Sequence, residues 1–268
     1  MTTNRRFSLA LRALAELKTG ASAPHPDNVP RGLPQPIFAA PDLRAVLADI
    51  GPLPPEALFL GVASDGLPVL LNLRDPHPGP MLIAGDAAAG KTVFLQTIAY
   101  AAAQTHTPDD VQYGVITTHP DEWVGLEDTP HRVGVFAVHD ASAQDLVLSL
   151  ASWAHANKQA RQSVLLLIDD LEAIAGLDSD SLQNFRWLLL RGPARRVWPL
   201  ITLNAARYGQ VLAWLQIFRT RVFGRIADER VAAALGADRS SALDQLEARI
   251  QFSLRENGNW LRFWLPGI

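Results

Sequence analysis

Cysteine is missing from all 268 residues, which excludes disulfide staples, thiolate metal sites and cysteine nucleophiles. Lysine is almost missing: Lys18, Lys91 and Lys158 stand alone, and arginine carries the rest of the positive charge. No apolar run reaches the roughly 18 residues that read as a membrane span. The N-terminal MTTNRRFSLALRALAELKTG has neither a continuous apolar segment nor a small-residue cleavage site. No secretory signal and no integral membrane segment are therefore expected, and the expected location is cytoplasmic. An excess of positive charge is missing too. The 24 Lys+Arg face 27 Asp+Glu, a formal net charge of −3, which argues against a generally basic nucleic-acid binder but leaves room for a local basic patch. The seven histidines show no H-x-x-x-H or similar ligand spacing, so no zinc site is expected. What is present is a globular composition, 48% hydrophobic and 19% charged, on a chain long enough for one large domain or two small ones.

Residues 6–18 read as a helix, with Phe7, Leu11, Leu14 and Leu17 on one face. With Arg5, Arg6 and Arg12 beside that face it could lie on a membrane or bind a protein partner; docking on its own core or on a neighbouring subunit is the favoured reading. Residues 21–57 begin with a proline-rich stretch, including Pro24, Pro26, Pro30, Pro34 and Pro36, that reads as an extended tether. A short helix over Pro41–Ile50 follows. From residue 58 the pattern changes. Strands are expected at 58–62, 68–73, 81–84, 111–117, 133–138, 164–168, 197–203 and 222–226. Helices are expected at 91–103, 141–157, 182–190, 211–218 and 230–235. Asn257-Gly258 between the apolar runs 250–254 and 260–264 is a hairpin signal. Alternating strands and helices predict an α/β fold with a mainly parallel sheet, helices on both faces and a C-terminal β-hairpin.

One motif carries chemistry. Gly85-Asp86-Ala87-Ala88-Ala89-Gly90-Lys91-Thr92 is G-x-x-x-x-G-K-T, preceded by the apolar MLIA and followed by a helical pattern. In such a loop the backbone N–H groups cradle phosphate oxygens and the helix presents its positive end to the same charge. Lys91 is expected on the β- and γ-phosphates and the Thr92 hydroxyl on Mg²⁺, with the stretch from Gly85 to Val93 forming the nucleotide-binding loop and helix start. Asp86 places a negative charge beside a phosphate site and must point away from it. The second motif is VLLLI followed by Asp169-Asp170, a Walker B strand delivering a carboxylate to the sheet edge. Asp169 is expected at the Mg²⁺ and Asp170 on the attacking water, with Glu172 a weaker candidate for that task. ATP and Mg²⁺ are the expected ligands.

Further segments surround these motifs. Leu60-Gly61 and Gly66-Leu67-Pro68 flank a hairpin, and Asp75-Pro76-His77 precedes the phosphate-loop strand. THPDEW follows the strand ending at Thr117. Arg191-Gly192-Pro193-Ala194-Arg195-Arg196 leads into VWPLITLNAAR. Phe218-Arg219-Thr220-Arg221-Val222-Phe223-Gly224-Arg225-Ile226 comes last. In this order the residues over about 58–266 resemble the FtsK/HerA superfamily of hexameric P-loop ATPase motors, which includes the FtsK and SpoIIIE DNA translocases. The resemblance implies a RecA/FtsK-like fold, a hexameric ring, ATP hydrolysis and translocation of double-stranded DNA. It also implies a polar sensor at Asn204 and an arginine reaching a neighbour's γ-phosphate, for which Arg195 and Arg221 are the candidates within the groups Arg186, Arg191, Arg195, Arg196 and Arg219, Arg221, Arg225. There are departures. Ala88 stands for a glycine, Asp170 for the usual glutamate, THPDEW for "DPK" and Asn204-Ala205-Ala206 for "TqR". Loosened sites of this kind also resemble the ATPase modules of type VII secretion motors. Two alternatives therefore stand beside the DNA motor: a nucleotide-gated assembly subunit with little hydrolysis, and a protein-export motor.

Overall fold

A computed structural model of the chain describes residues 41–126, 129–157, 161–174, 176–256 and 258–268. The expected N-terminal helix and most of the tether lie outside the described residues. The first described element is helix α1 (Leu43–Ile50), capped by the Asp42 carboxylate, which accepts from the Arg44 and Ala45 N–H groups. Leu43, Val46 and Ile50 bury against Phe59, Val62 and Ala101, and the Leu43 N–H donates to the Gly267 carbonyl.

The domain is built on one sheet. Its strands are β1 (Ala57–Ala63), β2 (Pro68–Asn72), β3 (Met81–Gly85), β4 (Val111–Thr117), β5 (Arg132–Ala137), β6 (Ser163–Ile168), β7 (Val197–Asn204), β8 (Thr220–Phe223), β9 (Gln251–Glu256) and β10 (Asn259–Trp264). They lie in the order β2-β1-β10-β9-β8-β3-β7-β6-β4-β5. From β8 to β5 every pairing is parallel, and the remainder is antiparallel. The expected C-terminal hairpin is β9–β10. It extends the sheet by bridging the parallel block to the β1–β2 hairpin.

The crossover helices are α2 (Lys91–Thr105), α3 (Ala141–Ala156) and α5 (Ser179–Arg191), with the short helices α4 (Leu171–Ile174), α6 (Leu212–Leu215) and α7 (Glu229–Ala234). They cover both faces, which explains why the central strands read as unbroken apolar runs. Leu165 and Leu167 point into the cluster that contains α2's Phe94, Leu95 and Ile98. Leu166 and Ile168 point the other way, into the cluster with α3's Leu146 and Leu150 and α5's Phe185 and Leu188. The alternation is the period-2 rule with two buried faces.

The helix expected over 211–218 is largely absent. Residues 205–211 form a 3-10 turn and only Leu212–Leu215 is α-helical. The apolar residues that produced the helical spacing, Val211, Leu215 and Phe218, are all buried, so an irregular segment satisfies the same burial demand. Among the described residues no helix is long and apolar enough to cross a membrane. The tryptophans serve packing: Trp198 and Trp123 are fully buried, and Trp153, Trp187, Trp214 and Trp260 lie against the core.

Candidate functional site: a phosphate loop and its carboxylates

The parallel block brings the C-terminal ends of β3, β7 and β6 side by side, the edge at which such sheets bind ligands. Gly85 ends β3 in register with Asn204 of β7. The loop then turns through Ala88 at φ +58° and Gly90 at φ +91° before Lys91 starts α2. Left-handed residues of this kind let a loop turn N–H groups inward; here the Ala89 N–H donates to the Asp86 carbonyl at 3.2 Å. The Lys91 side chain folds back over the loop, its Nζ donating to the Asp86 carbonyl at 2.8 Å. Asp86 meets the condition set by its charge. Its carboxylate faces away and accepts from the Ala227 N–H at 2.8 Å, while its own N–H donates to the Arg225 carbonyl.

The two motifs meet directly. The Thr92 hydroxyl donates to Asp169 Oδ2 at 2.8 Å, across 77 residues of chain. The Thr202 hydroxyl donates to Asp169 Oδ1 at 2.8 Å and accepts from the Asp170 N–H at 2.7 Å. The Thr118 hydroxyl donates to Asp170 Oδ2 at 3.1 Å. Asp170 itself sits at φ +81°, a strained conformation for a residue with a Cβ. Asn204 uses its side-chain oxygen to cap the following turn, accepting from the Ala206 N–H.

Charge and burial oppose each other here. Lys91 is 9% exposed and Asp169 6% exposed. Burial pushes the Lys91 ammonium below its ordinary value, against the pull of Asp170, Asp169 and Glu172. Burial likewise pushes Asp169 up, against the hydroxyls of Thr202 and Thr92. Both charges are therefore held at a cost until counter-ions arrive. The donor set, one hydroxyl and one carboxylate, suits a hard cation that keeps most of its waters. Among the described residues no group of three His, Asp or Glu forms a metal cage. Mg²⁺ at Thr92 and Asp169 would take its remaining ligands from water and phosphate, and there it would neutralise phosphate charge.

Of the expected site residues, the fold brings together Gly85 to Val93, Asp169, Asp170 and Asn204. It places Arg195 at the opposite edge, before the start of β7. Arg221 is engaged within the chain: its guanidinium donates to the carbonyls of Phe218, Leu235 and Leu215. Thr118, Thr202, Ala227 and Arg249 are the partners that sequence reasoning missed. Arg249 packs its backbone on Gly90, and its N–H donates to the Ala89 carbonyl at 3.0 Å. One signal was available for Thr202: it is a hydroxyl inside the otherwise apolar strand VWPLITL.

Because burial penalises the Asp169 charge, Asp169→Asn is expected to raise the thermal midpoint of the nucleotide-free protein, while ATP turnover falls by about 100-fold or more. Thermal unfolding and a phosphate-release assay on the same preparation read both effects.

A glycine-bearing loop between a buried parallel strand and a helix, with a lysine and a threonine facing a Walker B aspartate, defines a P-loop nucleotide-binding domain. Residues 56–183 match the model of the FtsK/SpoIIIE family. Over those residues, just under half of the chain, it is thus similar to the P-loop ATPase domains of the FtsK/SpoIIIE family. A stretch of 57 residues, 21% of this chain, is 40% identical to the ESX-1 secretion system protein EccCb1 of Mycolicibacterium smegmatis and covers 10% of that protein. Among solved structures, the cytoplasmic domain of the type VII secretion ATPase EccC of Thermomonospora curvata superposes with a TM-score of 0.67 at 18% identity, covering 91% of this chain and 29% of that one. The conjugation coupling protein TcpA of pCW3 superposes with a TM-score of 0.62 at 15% identity, covering 87% of this chain and 70% of that one. At these identities the likeness is one of fold. The chain spans under a third of the EccC chain.

Proposed function

We propose that the chain binds ATP with Mg²⁺ and hydrolyses it as one subunit of a ring, hexameric in the manner of FtsK, that moves a polymer. The observation that carries the reading is the direct contact of Thr92 with Asp169, beside Lys91, at the C-terminal edge of the sheet. In that arrangement the loop N–H groups and Lys91 hold the phosphates, Thr92 and Asp169 hold the metal, and a carboxylate of the Walker B segment orients water. An arginine from the neighbouring subunit completes the charge. Arg195 is the better of the two expected residues, because the guanidinium of Arg221 is held by three carbonyls of its own chain.

The cargo we propose is polypeptide. A DNA path needs a basic stripe. Two arginines of the groups named above, which a stripe would draw on, are held internally, Arg221 by those carbonyls and Arg196 by the Leu73 carbonyl at 2.9 Å. The net charge of −3 offers no general attraction to a polyanion. The likeness to EccCb1, a secretion-system protein, supports the same side. Double-stranded DNA is the second reading, supported by the likeness to a conjugation coupling protein.

The test is steady-state hydrolysis by the purified chain, with and without long double-stranded DNA. Turnover that DNA leaves unchanged is the expected result. Turnover that rises with DNA restores the DNA motor. Tight ATP binding with negligible turnover in both conditions makes the chain a nucleotide-gated assembly subunit instead.

A further inference from the structure

Beside the phosphate loop lies a cleft lined by Thr118, His119, Asp170, Glu172, Asn204 and Arg207. Its two carboxylates are treated differently by the fold. Asp170 is anchored at both ends: Thr118 holds its carboxylate and Thr202 its backbone N–H. Its side chain is one methylene short of the glutamate that the resemblance would place there. Glu172 is not anchored in this way. Its side chain is only 4% exposed. Arg207, whose side chain is 56% exposed, reaches Oε1 from the solvent side at 3.5 Å. Oε2 is buried without a hydrogen-bond partner. An unpaired buried carboxylate oxygen costs free energy, and the short helix α4 would form as well with alanine at this position. Glu172 also belongs to the site electrostatically. Burial pushes its carboxyl up against a hydrogen bond from its own backbone N–H, Asp170 adds to the rise, and Arg207 and Lys91 oppose it. A carboxylate with one oxygen free of a hydrogen bond, shielded from bulk water and coupled to the phosphate-binding lysine is what a general base requires.

We propose that Glu172, rather than Asp170, orients the attacking water and takes its proton, with Arg207 shielding it while the site is empty. The proposal deepens the hydrolysis reading and rests on it. The water oxygen bonds to the γ-phosphorus as the bond from that phosphorus to the β–γ bridging oxygen breaks. The bonding pair leaves with ADP. The water proton passes to Glu172 Oε2 and from there to solvent, so that no oxidant or further reactant is needed. The longer side chain restores from position 172 the reach that Asp170 lacks.

The experiment compares the full-length wild type with Glu172→Gln, Glu172→Asp and Asp170→Asn. ATP affinity is read by fluorescent-nucleotide titration, and kcat and KM by phosphate release. Glu172→Gln keeps the shape and removes the base. It is expected to lower kcat by about 100-fold with affinity and KM within about threefold, and to lower it more than Asp170→Asn does. Glu172→Asp keeps the charge with less reach and is expected to fall between wild type and Glu172→Gln, which a merely structural role would not produce. A Glu172→Gln enzyme whose kcat stays within about threefold of wild type overturns the proposal and leaves ATP hydrolysis standing, with Asp170 as the base. So does a Glu172→Gln enzyme that loses kcat and nucleotide affinity together, because that places Glu172 in the scaffold. A wild type that binds nucleotide and turns none over overturns the hydrolysis reading, and this proposal with it.

Discussion

Lys91→Ala should abolish nucleotide binding and turnover while leaving the nucleotide-free protein at least as stable as wild type. The two halves follow from one environment. Lys91 is 9% exposed, and its Nζ holds only a loop carbonyl, that of Asp86. Burial pushes its pKa down, and the carboxylates of Asp170, Asp169 and Glu172 do not offset this fully. In the window between the lowered folded value and the ordinary lysine value, the unfolded chain binds more protons than the folded one. Stability therefore rises as pH rises through that window, and below it the charged lysine is a net cost to the fold. Removing the amine removes that cost and one charge-assisted hydrogen bond of about 1.5–3 kcal/mol, so the changes in the empty protein nearly cancel. With ATP the balance reverses, because a phosphate replaces the carbonyl and the point charge is matched. A loss of affinity of about 100-fold or more is expected. Thermal unfolding with and without Mg²⁺–ATP checks both halves: wild type shifts upward with ligand as RT ln(1 + [L]/Kd), and the variant does not shift. A variant that unfolds well below wild type when empty would mean that Lys91 serves the fold.

The phosphate loop and the Walker B strand were legible because each is a continuous stretch whose chemistry is local. The strands were legible because two covered faces demand unbroken apolar runs, as in VLLLI, where every residue from Val164 to Ile168 is buried. What escaped depends on topology. Asp86 finds its partner at Ala227, 141 residues away, and only the pairing of β3 with β8 puts that segment beside the loop. Thr202 supports Asp169 because β7 lies between β3 and β6, an order that no local pattern encodes. Arg221 read as a candidate for a neighbour's γ-phosphate, since its three carbonyl partners come from residues 215, 218 and 235. Helix ends were shortened where caps were not weighed: α5 begins at Ser179 because the Asp178 carboxylate accepts from the Asp180 and Ser181 N–H groups. The segment 211–218 shows the opposite error, where helical spacing of buried residues did not require a helix.

Gly90→Ala is the second large effect, and it tests whether the C-terminal segment is part of the nucleotide site. Gly90 sits at φ +91°, and a Cβ there would lie 2.4 Å from Arg249 Cα and 3.1 Å from its carbonyl carbon. Both neighbours are backbone, so no rotamer change relieves the clash. The segment leading into β9 must move, and the bond from the Arg249 N–H to the Ala89 carbonyl breaks with it. Gly51 supplies the control. It has φ +81° and ψ −169°, against ψ +20° at Gly90, with nothing within 4 Å of a built Cβ, so Gly51→Ala measures the backbone cost of a positive φ without a clash, about 1–3 kcal/mol. Gly90→Ala should cost about 2–3 kcal/mol more, for the displaced backbone and the lost hydrogen bond. At roughly 2–4 °C per kcal/mol for a domain of this size, its midpoint should fall about 5–10 °C below that of Gly51→Ala, in a direct comparison by thermal unfolding. ATP affinity should fall with it, because Ala89 and Gly90 supply two of the loop's N–H groups, whereas Gly51→Ala should bind as wild type does. Equal midpoints for the two variants would mean that residues 247–250 do not brace the phosphate loop. The expected gap means that the loop's shape is held by the turn leading into β9, 159 residues further along the chain, through the contact of Arg249 with Gly90 and Ala89.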